Sequence, residues 1–446
     1  MELPKIKHAL ISVNTCARGN DNIFAQAKSW ILSIRKRLFH QTCISKNKTS
    51  MKNTLFISII LFCSTVFFSF SIKNFSNKSK DLVTEKIQKS IDSCFEKGGG
   101  QVLLKKGEYL TGTLILKSNV RLVFQKGAIL KGSSNYEDYT NDALIFAKDV
   151  TNISIEGDGV IDGVDCINPK GEEGFRGPHA IRFINCEGLK IKGITIKNSA
   201  NWAINCRYCK NGKVIKVAIR GGHDGLHTRF CSNFEVLESD FRTGDDAFAG
   251  NDNQDFLIKK CIINTSCNGF RMGCQKMKII NCKLWGPGEY QHKIQKRNNM
   301  LAAFVHFSPK DENPKLASGN WVIKNIFVEN VDNFYNYNFK DGLWQTDQPL
   351  TTISFENIYA KGIQKAFEIN GGDDKSLKMS IKNGLFVQRD SLKNIPEKFE
   401  GVNFTSKAFF SASNYQTIEM KNTKFEKSGK KQTFNKTFQY SLTQID

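Results

Sequence analysis

Asp224, Asp245 and Asp246 stand in two short motifs, Gly222-His223-Asp224-Gly225 and Gly244-Asp245-Asp246, with the later aspartates 21 and 22 residues beyond the first. Carboxyls that converge push their proton affinities apart, so that one keeps a proton as an acid while another stays ionised as a base. That is the chemistry of bond cleavage by proton transfer, provided the chain folds so that the two motifs meet. Twenty-two residues beyond Asp246 begins Asn268-Gly269-Phe270-Arg271, which extends the same pattern with an amide and a cation. Taken singly, Asp-Gly and Gly-Asp-Asp are ordinary turn sequences. Three of them in one register mark a site.

The elements that must position these residues repeat with the same spacing. Beyond about residue 97 the chain reads as short strands separated by Gly, Asn and Asp, and their central apolar residues, Ile191, Ile215, Val236, Ile258 and Ile279, recur at intervals of 24, 21, 22 and 21. Cys186, Cys209, Cys231, Asn253 and Cys274 precede them at intervals of 23, 22, 22 and 21. A period near 22 is the signature of stacked coils, in which residues one period apart lie on one face about 4.8 Å from each other. The fold class is therefore all-β: a right-handed parallel β-helix, with the cysteines as an inward stack and Phe183, Phe234, Phe241, Phe256 and Phe404 as core fillers. An amphipathic helix over 82–96, N-capped by Asp81, is expected to close the open end of the stack. The period weakens after about residue 330, although strands continue at 322–323, 353–355, 379–381 and 418–420.

The 446 residues carry 64 Lys and Arg against 43 Asp and Glu, a net charge of +21, with 34 Phe. Such a chain is too apolar and aromatic for disorder, and its charge suits a polyanionic partner. Residues 51–71 have the form of a secretory signal peptide: Lys52, an apolar run from Leu55 to Phe70, and small residues at Ser69 and Ser71. Residues 1–50 read as an upstream extension, which leaves a single domain over 72–446, located in the periplasm or secreted. Ten of the basic and two of the acidic residues fall in 1–71, so that domain carries a net +13 and ten of the 13 cysteines. Cys206 and Cys209 form a lone pair without a partner pair at zinc-ribbon spacing, and Asp245, Asp246, Asp252 and Asp255 match no calcium loop, so no metal or other cofactor is expected.

On these motifs the sequence resembles glycoside hydrolase family 28, the polygalacturonases and their relatives, over roughly residues 97–300. Residues 98–139 are similar to the family's entry coils, and Gly157-Asp158-Gly159-Val160-Ile161-Asp162-Gly163 to its Gly-x-Gly-x-Ile-Asp-Gly turn. Gly222-His223-Asp224 falls on its Asn-Thr-Asp motif, and Gly244-Asp245-Asp246 keeps its Gly-Asp-Asp. The resemblance implies a pectin lyase-like solenoid and inverting hydrolysis of a glycosidic bond. Asp245 would be the general acid, with Asp224 and Asp246 activating water. Two departures stand out: Asn268 replaces the family's Gly-His-Gly histidine, and its Arg-x-Lys motif has no clear match.

The expected partner is an acidic polysaccharide, uronate-containing or sulfated, with polygalacturonan as the model, held by His223, Asn268, Arg271, Lys293, Lys296, Arg297 and His179. Trp202 serves either as a sugar platform or as core. A polysaccharide lyase and a non-catalytic binding solenoid are the alternative readings. Nucleic acid is not expected as a partner, nor a stable membrane span once the signal is cleaved, and a monomer is expected.

Overall fold

The computed structural model describes residues 81–339, 346, 348–389 and 408–426, with the backbone alone of 427, 430–434, 437–439 and 443–445. The upstream extension, the signal segment and Phe404 lie outside the described residues.

The chain climbs as a right-handed parallel β-helix whose coils stack by parallel pairing into three long faces. Face A carries Ile191 opposite Val214, then Val236, Ile258, Ile279, Ile323, Phe355, Ile381 and Met420. The inward residue of the second of these coils is thus Val214 and not Ile215, whose side chain is half-buried and pairs with Leu237. The cysteine register, with its first interval of 23, traced the coils better than the apolar one. Face B runs through Ala218–Gly221, Asp240–Thr243 and Ile262–Thr265. Face C runs through Ile204–Arg207, Leu226–Arg229 and the starts of Phe248–Lys259 and Asn268–Trp285.

Repetition of like side chains fills the interior. Phe248, Phe270 and Phe304 stack at 4.6 and 5.4 Å between centroids, and Phe234 stacks on Phe256 at 5.2 Å. Each buried ring removes about 150–250 Å² from water, a gross gain of roughly 4–6 kcal/mol before conformational entropy is counted. All ten cysteines among the described residues are free thiols, nine of them buried. At the corner between faces A and B, Asn281, Asn325, Asn357, Asn383 and Asn422 all adopt left-handed backbone (φ 50 to 58°), a conformation Asn tolerates well. Their carboxamides bond in sequence at 2.8, 2.8, 3.0 and 3.3 Å.

Both ends of the stack are closed. Helix α1, Thr84–Glu96, buries Ile87 and Ile91 against the first coil. Its Gln88 side chain donates to the Ile115 carbonyl and accepts from the Ile115 N–H (3.0 and 2.8 Å), which satisfies an edge strand that has no coil beneath it. The helix begins three residues after Asp81, behind Val83, which makes no side-chain cap. The Val83 N–H is instead bonded to the Leu110 carbonyl, so docking on the first coil sets the helix start. At the other end the last strands of all three faces pair antiparallel with short strands from 430–445. No helix among the described residues is long and apolar enough to cross a membrane.

Candidate active site

The connections from face B to face C in three successive coils build the site. In each, a face B strand ends at Gly221, Thr243 or Thr265, and the chain turns into face C through 222–225, 244–247 and 266–267. Main-chain bonds from Gly225 N to Asp246 O and from Ala247 N to Asn268 O put Asp224, Asp246 and Asn268 in one column up the stack. Asp245 and Cys267 occupy the neighbouring column beside His223. A third column on face C sets His227, Ala249 and Arg271 in register. The small Ala249 leaves room between the two polar residues.

One carboxylate oxygen from each of Asp224, Asp245 and Asp246 lies within 4.8 Å of the others. Their environments differ. Asp224 is buried, and its Oδ2 lies 2.9 Å from His227 Nδ1. Burial, followed by the charges of Asp245 and Asp246, pushes its proton affinity well above that of an ordinary aspartate. Asp246 is 1% exposed; Asn268 donates to its Oδ1 from the main-chain N–H (3.2 Å) and from Nδ2 (2.7 Å), while Arg271 Nε donates to its Oδ2. With both oxygens taken, Asp246 is the fixed anion of the group, and the charge of Arg271 is stabilised in return. Asp245 has the most accessible of the three carboxyls, at 18% exposure. Burial pushes its proton affinity up, but the hydrogen bond from His292, with the charges of Arg271 and Arg176, outweighs this and holds it below the usual range.

His292 and Arg176 were not among the residues singled out from the sequence. Both come from segments outside the 22-residue period. His292 Nδ1 accepts the main-chain N–H groups of Ile294 (3.3 Å) and Gln295 (3.0 Å), so the ring proton sits on Nε2, which faces Asp245 Oδ1 at 3.5 Å. Arg176, 8% exposed, is bonded to Glu173 and to Asn201. The basic stretch Lys293-Lys296-Arg297 drew attention to this loop, and the histidine one position earlier is the residue that touches a carboxylate.

The same loop lies against both motif glycines. A Cβ on Gly244 would lie 2.3 Å from the Gln291 carbonyl, and one on Gly222 would lie 2.3 Å from Cε of Lys293. Neither glycine has positive φ. Gly244 is held bare by the Gln291 carbonyl and by the Gly222 main chain of the coil below, which a Cβ would meet at 2.7 Å, while Gly222 meets only the flexible side chain of Lys293.

The remaining sequence-derived residues divide into two groups. Arg271 is at the cluster, stacked over Phe307 at 4.2 Å and 20% exposed. His223 is buried beside Phe175, and burial lowers its affinity for a proton to a pKa of about 3. Asn268, 1% exposed, lies beneath the surface and positions Asp246. Lys293 spans the site edge with its ammonium 3.1 Å from Asp165. Lys296 is exposed on the loop, and Arg297 ties the loop down by donating to the carbonyls of Ser266 and Asn299. His179 is buried, with its ring nitrogens on Trp202 O (3.3 Å) and Asn205 Nδ2 (3.1 Å), which leaves it no group to offer a ligand. Trp202 stacks face to face on His227 at 3.6 Å and holds the imidazole against Asp224. Asp252, within the strand Phe248–Lys259, accepts the main-chain N–H groups of Lys315 and Leu316 at Oδ1 and so anchors that loop.

Residues 94–274 match the family model of glycosyl hydrolases family 28, a span that contains all three aspartates and ends short of His292. A polygalacturonase of Ralstonia nicotianae is 28% identical over 171 residues, covering 29% of this chain and 32% of that protein; the chain thus spans about a third of that relative's length. The fold recurs in the hyperthermoactive exopolygalacturonase from Thermotoga maritima, with TM-score 0.60 and 15% identity over 82% of this chain and 92% of that one. It recurs also in the polygalacturonase from Erwinia carotovora, with TM-score 0.53 and 18% identity over 82% and 94%. Over residues 94–274 the chain is similar to the family 28 glycosyl hydrolases.

Proposed function

We propose that this protein is a glycoside hydrolase that cleaves O-glycosyl bonds in an acidic polysaccharide of the polygalacturonan class. The observation that carries the reading is the inequality of three converging carboxyls: one that favours its proton, one fixed as an anion and one facing the cleft.

In the free site the shared proton resides on Asp224, the carboxyl with the raised affinity, while Asp245 is ionised. A substrate that covers Asp245 removes its remaining water and disfavours its charge. The proton then moves to Asp245, whose exposed oxygen can meet the leaving glycosidic oxygen, and Asp224 is left as the base for a water. One proton on two coupled carboxyls thus supplies both acid and base. Asp246 stays ionised on Arg271 and Asn268 and stabilises positive charge at the anomeric carbon.

The carboxyls are closer together than the roughly 6.5–9.5 Å usual for inverting glycosidases. A covalent route nevertheless fits the geometry poorly. Both oxygens of Asp246 are occupied and Asp224 is 3% exposed, so neither reaches an anomeric carbon, whereas a water between them does. Inversion is the expected outcome. A lyase would need a lysine or arginine that gives up its proton easily, and Arg271 holds its own more firmly than usual.

At the edge, the exposed Lys296 suits a uronate or sulfate substituent, and Lys293, 33% exposed and paired with Asp165, adds to the positive field. Export through the segment 51–71 belongs to the same reading, and the N-terminal residue of protein recovered outside the cytoplasm tests it. The reading as a whole is tested by release of reducing ends from polygalacturonate. Asp245→Asn should abolish it, and unchanged turnover would refute the assignment.

A further inference from the structure

Face B carries an outward stripe of rings and cations that the cleft does not use. Lys283, Phe327, Tyr359 and Leu385 follow one another in register up the stack, and Trp285, Glu329 and Lys361 form the neighbouring column. Tyr359 is 40% exposed, Phe327, Trp285 and Leu385 are partly exposed, and Ile262, one coil below Lys283, is 38% exposed. A soluble sheet face is normally polar on its outer side, so an apolar column over successive coils calls for something to cover it.

Cations border the rings. Lys283 Nζ stands 5.1 Å from the Trp285 ring and 5.5 Å from Phe327, with no ion pair among the described residues. Lys361 Nζ stands 5.8 Å from Phe327 and is paired with Glu329 at 2.8 Å, and Arg242 lies 4.7 Å over Trp285. Phe327 and Tyr359 are 5.5 Å apart and tilted. Beside them runs a shallow groove lined by Lys260, Asn281, Lys283, Asn325, Phe327 and Asn357. In the groove, Asn325 and Asn357 each spend one side-chain N–H on the asparagine of the coil below and carry a second.

We propose that this stripe is an accessory binding surface for a strand of acidic polysaccharide, separate from the catalytic cluster. Rings give flat apolar platforms for pyranose faces, the carboxamides give donors and acceptors for hydroxyls, and Lys283 with Lys260 matches carboxylates on the strand. The coil repeat of about 4.8 Å sets these groups along the axis at a spacing comparable with a pyranose ring. The positive balance of the chain favours this occupant over a neutral glycan or a second, equally basic copy of the chain.

The test is retention on immobilised polygalacturonate, read in the Asp245→Asn background so that turnover plays no part. Adding Phe327→Ala and Tyr359→Ala should weaken retention about tenfold, and Phe327→Leu with Tyr359→Leu, which keeps the apolar volume, should do the same. Lys283→Ala should reduce the salt dependence of binding, and Leu103→Ala, on an exposed apolar residue of the first coil, should leave it unchanged. Equal retention by the ring variants and their parent overturns the proposal. So does a parent that sediments as a dimer and ring variants that sediment as monomers, since the stripe would then be a contact between copies. Absence of hydrolysis by the unmodified protein would refute the proposed activity and leave this binding result standing.

Discussion

Asp245 Oδ1 faces His292 Nε2 at 3.5 Å, and the histidine arrives from a loop 47 positions further along the chain, outside the coil repeat. That contact holds the most exposed carboxyl of the cluster ionised in the free site. His292→Ala should therefore raise the proton affinity of Asp245 and move the acidic limb of the pH–rate profile to higher pH. Turnover should fall at least about tenfold, and a pH profile of kcat/KM for the variant checks it.

Asp224 is expected to favour folding only while it is protonated. Its folded-state affinity is raised, so its contribution is full below the unfolded carboxylate pKa of about 3.9 and is lost as pH rises through the folded value. Asp224→Asn removes the cost of keeping this buried carboxyl protonated at neutral pH. The variant should be inactive and yet melt higher than the parent at pH 7, with the difference closing near pH 4. Calorimetry at both pH values reads this directly.

Removing Arg271 strands a buried anion. Arg271→Ala leaves Asp246 with the amide of Asn268 alone and should cost about 3–5 kcal/mol, seen as a lower denaturation midpoint. Arg271→Lys keeps the charge without the planar fork and should recover part of that stability while turnover stays low.

Gly244→Ala places a methyl group 2.3 Å from the Gln291 carbonyl and lifts the loop that carries His292. Activity should drop as it does in His292→Ala, and because the methyl group also lies 2.7 Å from the Gly222 carbonyl of the coil below, the denaturation midpoint should fall as well. Limited proteolysis within 286–299 should become faster than in the parent.

The product anomer gives an independent check on the carboxyl arrangement. Proton NMR during the first turnovers should show the inverted configuration, because Asp224 and Asp246 are too enclosed to bond to sugar carbon. Retention would mean that one of them moves out to attack.

What the sequence revealed follows from how a solenoid works. Asp224, Asp246, Asn268 and Arg271 were legible because stacking turns a repeat of 22 residues into adjacency. The core cysteines were legible for the same reason. His292 and Arg176 were not, since their positions depend on loops that obey no repeat and reach the cluster only through the fold. The one-residue slip at Ile215 has a related cause: a coil of 23 residues among coils of 22 shifts which neighbour points inward. His179, for which a satisfied coil histidine is an equal alternative to a sugar subsite, shows what the sequence does not separate. A histidine near the right face looked like a ligand group, and its partners turn out to be Trp202 and Asn205.

The seating of loop 286–299 on Gly222 and Gly244 also ties the history of three segments together. A Cβ on Gly244 would strike both the Gln291 carbonyl and the Gly222 main chain of the coil below, so a lineage that fills Gly244 must reshape loop and coil together, whereas Gly222 meets only the flexible Lys293 side chain. Substitutions at Gly244 and in the loop should therefore be inherited together, and a descendant with the aspartates intact but a side chain in place of Gly244 can be expected to carry a different residue opposite Asp245.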